Sequence, residues 1–135
     1  MSSAVPGLSP FRSWNAREPY SIFPGVDLHA IGGEQVLLCR VVYTPGTSVA
    51  PHLHEETEQV MVIADGEVDV TIGGVRQRLG PGEVCVINRG VEHDLYSERG
   101  VTFFEALAPV PLDHVPDRER DLVLGPDGGT RHVPR

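Results

Sequence analysis

At 135 residues and a net charge of −8, the chain is long enough for one domain that buries roughly two-thirds of its unfolded surface. A pI near 5.1 leaves no basic face for nucleic acid or for an anionic membrane surface, and no apolar run reaches the roughly 20 residues of a membrane helix. All 11 basic residues are arginine, which excludes Schiff-base chemistry on a lysine of this chain.

The opening Met1-Ser-Ser-Ala-Val-Pro-Gly7 lacks the basic and apolar segments of a secretory signal, so a cytoplasmic protein is expected. Residues 1–20 read as an arm broken by Pro6, Pro10 and Pro19, with Phe11 and Trp14 available to pack on the barrel or on a partner subunit. Across the whole chain, 15 glycines and 12 prolines stand too densely for a long helix to fit between them. The intervening runs are short and rich in Val and Ile. Val26–Ile31, Val36–Tyr43, Gln59–Ala64, Glu67–Ile72, Val84–Ile87 and Val101–Leu107 read as strands. Asp65-Gly66 and Gly73-Gly74 sit where tight hairpins should turn. Strands of this length and spacing make an all-β sandwich or barrel, here a jelly roll over 21–108. Residues 109–135 form a Pro-rich, charged tail, either frayed or docked through Leu122-Val-Leu124. Cys39 and Cys85 lie within apolar runs and read as reduced core residues.

His52-Leu-His54 carries the chemistry. Histidines at i and i+2 of a strand point to one face, where both imidazoles can share an ion. Gln59 opens the next apolar run, and His93 follows the Val84–Ile87 run. Three imidazole nitrogens and an amide oxygen can therefore converge inside one small β structure. Glu58 competes with Gln59 for the fourth position. Parity favours Gln59, because it shares a strand face with Met61 and Ile63.

These residues resemble the two motifs of the cupin superfamily. The first runs from Gly46 through His52, His54 and Gln59 to Gly66, with glutamine where the family usually has glutamate. The second runs from Gly82 through Asn88-Arg-Gly90 to His93 and Ser97, with Asn88 in place of proline and Ser97 in place of asparagine. The resemblance spans 46–97 and implies a cupin jelly-roll barrel in which His52, His54, Gln59 and His93 bind one divalent ion. Zinc is the expected ion, with nickel, iron or manganese as alternatives. Because glutamine is neutral, the ion keeps its double positive charge and should be a strong Lewis acid, less suited to stabilising a higher-valent iron.

Two further residues bear on catalysis. Glu105 interrupts the apolar strand Val101–Leu107 and shares a face with Phe103 and Leu107. Turned inward it would have a raised pKa and could shuttle a proton beside the ion; turned outward it would be a solvated surface group. His29 is either a fifth ligand, if Asp27 and His29 face inward, or a surface residue with Leu28 and Ala30 buried. His114 and His132, in the tail, are expected at the surface. Arg40, Tyr43 and Tyr96 are candidate substrate contacts, and Met61, Ile63, Phe103 and Leu107 an expected apolar lining.

The size of the chain, its ligand set and the segment Glu105–Leu124 resemble small cupins of aromatic polyketide pathways. That resemblance implies a metal-dependent cyclase: a hydrophobic poly-β-keto substrate, delivered by an acyl carrier protein, would close by aldol condensation, with the protein as a homodimer. The alternatives are a cupin isomerase or lyase of small sugar-derived keto acids, an iron-dependent dioxygenase, and a non-enzymatic ligand- or metal-binding barrel.

Overall fold

The computed structural model describes residues 10–15, 18–33, 35–109, 120–124 and 130–134. Its elements are strands throughout: Tyr20–Phe23 (β1), Val26–Gly32 (β2), Leu37–Tyr43 (β3), Thr47–His52 (β4), Glu58–Gly66 (β5), Val68–Ile72 (β6), Val75–Leu79 (β7), Val84–Ile87 (β8), His93–Ser97 (β9), Val101–Ala108 (β10), Arg120–Leu124 (β11) and Thr130–Pro134 (β12). One antiparallel sheet has the order β1-β2-β3-β10-β5-β8 and a second the order β4-β9-β6-β7. β11 and β12 pair separately. The architecture is the expected jelly-roll β-sandwich.

Period-two alternation fixes which side chains face inward. Along β3 and β10 every second residue is buried, so Leu37, Cys39, Val41 and Tyr43 share the interior with Val101, Phe103, Glu105 and Leu107. Met61 and Ile63 of β5 extend that inner face, and Val49, Val68, Val70 and Leu95 close it from the second sheet. The opposite rows of the first sheet face outward. There Trp14 stacks on Phe104, ring centroids 6.2 Å apart at 17°, and Arg12 Nη2 donates to the Gly32 carbonyl at 2.8 Å. Part of the N-terminal arm thus packs on the outside of the barrel, with Trp14 against Phe104; Phe11 is exposed.

Gly73-Gly74 is the hairpin turn between β6 and β7, with φ of 56° and 85°. Two consecutive positive φ values define the mirror-image turn that suits strand twist. Asp65-Gly66 does something else. β5 and β6 belong to different sheets, so the chain here crosses from one layer to the other instead of making a hairpin. Gly66 has φ of +81°, and a Cβ on it would collide with the Gly100 carbonyl oxygen. The glycine signals a bend and a close approach, and sequence spacing alone does not separate that from a tight turn.

β1, β4, β7 and β9 carry too little sequence signal to be expected as strands of their own. β7 is Val-Arg-Gln-Arg-Leu at the edge of the second sheet, with only Leu79 buried, so little hydrophobic periodicity marks it. The tail, read as frayed or docked, contains the β11–β12 hairpin; most of it, His114 included, lies outside the described residues, as do residues 1–9 of the arm.

Candidate metal centre

His52 ends β4, and a register shift between Val49 and His52 breaks the ladder just before it. His54 lies two residues later, outside the strand. The pair is therefore not held by strand alternation as expected, but by an irregular strand end that turns both rings inward. His93 opens β9 and is directly opposite His52 in the register. Ring centroids stand 4.2 Å apart for His52–His93, 5.3 Å for His52–His54 and 5.4 Å for His54–His93. One ring nitrogen from each lies within 4.8 Å of the others. His54 and His93 are buried and His52 is half-buried.

Backbone carbonyls set the tautomers. His52 Nδ1 is 2.8 Å from the Ala50 carbonyl oxygen and His93 Nδ1 is 3.0 Å from that of Val91. A carbonyl only accepts, so each Nδ1 carries a proton, and in the neutral ring Nε2 is the nitrogen with the lone pair. Burial also pulls the His93 pKa below its ordinary value, favouring the neutral ring that a metal needs. His93 Nε2 is buried and makes no hydrogen bond within the protein. An orphaned buried nitrogen on His93, with a ring nitrogen of each of the other two histidines close by, fits a bound cation.

Gln59 joins from β5. It is buried at 5% exposure, whereas Glu58 is exposed. Its Nε2 donates to Glu105 Oε1 at 2.5 Å, and its Oε1 is buried with no hydrogen bond. Glu105 faces inward, 6% exposed. Its position follows from register: Leu107 is opposite Gln59 and Glu105 opposite Met61, a diagonal that long side chains span. Burial pushes the Glu105 carboxyl up to about 7, with the Gln59 hydrogen bond acting in the opposite direction.

His29 does not reach the cluster. It lies in a cross-strand row with Arg40 and Phe104, whereas Ala30, Cys39 and Glu105 form the inward row. The His29 ring packs 6.1 Å from Trp14 on the outer face. Leu28 and Ala30 are the buried residues of that strand, so His29 is placed neither as a fifth ligand nor as a proton carrier. Arg40 is exposed on the same outer face. Tyr43 is buried at the other end of the strands from Gln59, edge-on to Phe103 at 5.5 Å, and burial lifts its pKa above the usual tyrosine range. Tyr96 pairs with Asp69 in the second sheet, also away from the cluster. Met61, Ile63, Phe103 and Leu107 are all buried in the interior. At the histidine end, an open hollow of about 390 Å³ is lined by Glu58, Asn88, Arg89 and Ala108. Sequence reasoning gives Asn88 and Arg89 no part in the site; their exposed loop position carries no periodicity to mark it.

The family model for the cupin domain matches residues 39–103. No curated protein matches the chain. Among solved structures it is similar to KdgF from Halomonas sp. (20% identity, 76% of this chain and 94% of that one, TM-score 0.70). It is also similar to an RmlC-like cupin from Shewanella frigidimarina (20% identity, 78% and 96%, TM-score 0.73). A third is salicylate 1,2-dioxygenase from Pseudoaminobacter salicylatoxidans (18% identity, 73% and 29%, TM-score 0.63). At these identities the likeness is one of fold.

Proposed function

From a chain whose residues 39–103 match the family model for the cupin domain, we propose that the protein is a metal-dependent cyclase closing a poly-β-keto chain by intramolecular aldol condensation, in aromatic polyketide (antibiotic) biosynthesis. The supporting observation is the barrel lining. Met61, Ile63, Phe103 and Leu107 form a buried apolar wall on the inner face that also carries Gln59 and Glu105, while Arg40 and Arg99 are exposed. A small anionic keto acid would call for an inward cation, and Arg89, at the histidine end, lines the open hollow and is exposed instead of facing the interior. A long, neutral, hydrophobic chain suits the wall as it stands.

His52, His54, His93 and Gln59 would hold one divalent ion, with zinc favoured by the nitrogen-rich donor set. Bound there, the ion supplies Lewis acidity toward a carbonyl oxygen, undiminished by an anionic ligand. The protein residues do the rest. Phe103 and Leu107 fold the substrate so that a methylene lies ~3–3.5 Å from its target carbonyl, which suppresses competing ring closures. The buried Glu105 carboxylate, through the oxygen that Gln59 does not engage, takes the methylene proton and returns it to the aldol oxygen before dehydration. The apolar interior excludes water from both steps.

Reconstitution with a minimal polyketide synthase and its acyl carrier protein tests the reading. With metal-loaded protein present, the linear chain should close to one cyclised product in place of the mixture of shunt products that forms without it. An unchanged product profile refutes the cyclase assignment, and turnover of a small sugar-derived keto acid in its place assigns the competing isomerase or lyase reading.

A further inference from the structure

Gln59 has a chemical ambiguity that a carboxylate ligand lacks. Its two ends differ: Oε1 has lone pairs for a cation, and Nε2 has only hydrogens. A half-turn about the last side-chain bond exchanges them at almost no steric cost, and the wrong end would repel an ion. Something must therefore select the orientation.

We propose that Glu105 is the positioning residue that does so: its carboxylate accepts from Gln59 Nε2 at 2.5 Å, which leaves Gln59 Oε1 as the end offered to an ion shared with the histidines. The inference rests on the metal-centre part of the proposed function. Three observations carry it. The acceptor is a carboxylate, which takes only the NH₂ end of an amide. Glu105 is 6% exposed in the central region of the first sheet, between β3 and β5, so its side chain is held by the strands on both sides. Gln59 Oε1 is buried and makes no hydrogen bond, which is how a ligand atom looks before it is given its ion. Glu105 itself is absent from the group of residues whose donor atoms cluster; it acts through Gln59. The pairing also accounts for glutamine in the ligand position. A glutamate at 59 would set two carboxylates against each other in a buried site.

A thermodynamic cycle on the full-length protein separates this role from a general attraction between the buried carboxylate and the cation. Zn²⁺ and Co²⁺ affinities are measured by calorimetry for the parent, Glu105→Gln, Gln59→Leu and the double variant, with near-ultraviolet circular dichroism reporting the fold of each. Glu105→Gln keeps size and shape but offers either end of an amide, so affinity should fall about 10- to 100-fold, the range for loss of an orienting partner. In the Gln59→Leu background the same change should cost nothing, because there is no amide left to orient. The Co²⁺ absorption bands of Glu105→Gln should shift toward those of Gln59→Leu. Should Glu105→Gln misfold, Glu105→Met serves in its place, and Gln59→Glu combined with Glu105→Gln should recover the ion by restoring an oxygen ligand beside a neutral partner. Equal losses from Glu105→Gln in the two backgrounds would overturn the positioning role while leaving the metal centre intact. A parent protein that takes up neither ion overturns both.

Discussion

Positions 58 and 59 differ by one residue in register and by everything in chemistry: one carboxylate is in solvent, and the neighbouring amide is buried against another carboxylate. Parity relative to Met61 and Ile63 is legible in the sequence, because those apolar residues fix the inward row. Glu105 and His29 are not resolved in that way. In β10 both rows are largely apolar, so hydrophobicity alone does not say whether Phe103 and Glu105 or Phe104 and Ala106 enter the core. The structure decides it through the register with β3 and β5. The same lack of contrast leaves His29 open until its row proves to be the one shared with Arg40. A prediction at this scale concerns Cys85, whose thiol is pushed up to about 11 by burial and by the nearby Glu105 charge. The thiolate is the nucleophile, and at pH 8 only about one thiol in a thousand would be ionised at that pKa. Iodoacetamide should therefore label the folded protein slowly at pH 8 and faster as pH rises toward 11, whereas urea should expose Cys39 and Cys85 together. Rapid modification of Cys85 in the native protein at pH 8 would contradict the half-buried placement beside Glu105.

Among the elements, the sequence conveys the strands of the first sheet better than those of the second. β3, β5, β8 and β10 are rich in Val, Ile, Leu and Phe; β7 and β9 alternate charged or polar residues with few apolar ones. The second sheet gets its burial from facing the first, a long-range fact that a local window cannot contain. Gly66 shows the same limit. Its sequence context, Asp-Gly after an apolar run, fits a hairpin equally well, and only the sheet order identifies a crossing between layers. That distinction has an energetic consequence. At Gly66 a side chain would meet backbone, the Gly100 carbonyl, at a φ of +81°; at Gly74 a Cβ meets nothing, with a φ of +85°. Gly66→Ala should lower stability by about 2–4 kcal/mol, strain and collision together, and Gly74→Ala by about 1 kcal/mol, from the backbone conformation alone. Urea unfolding of the two variants measures the difference. Equal losses would mean that the collision relaxes and that the Gly66–Gly100 approach is not tightly set.

For the molecule as a whole, the proposed ligand set would join His52, His54 and His93, at β4, the loop after β4 and β9, to Gln59 on β5 of the other sheet. An ion held there would tie the layers together and bind only the folded chain, adding about 4 kcal/mol when free ion exceeds its dissociation constant a thousandfold. Chelation with EDTA should accordingly lower the melting temperature by several degrees, and His93→Ala, folded but short of one ligand, should melt near the chelated parent and no longer respond to EDTA. A parent whose melting point ignores both EDTA and added Zn²⁺ would leave the layers held by apolar packing alone. The placement of β10 between β3 and β5 has a consequence in evolutionary time. Loops and tail can gain or lose residues one at a time, but a single insertion or deletion between Val101 and Glu105 reverses the parity of every later residue in the strand. Glu105 would leave the interior and Phe104 or Ala106 would take its place, while Leu107 left the wall it forms. Descent along this lineage can alter β10 by substitution, or by changing two residues together, and every intermediate of odd length loses the carboxylate and the apolar wall in the same step.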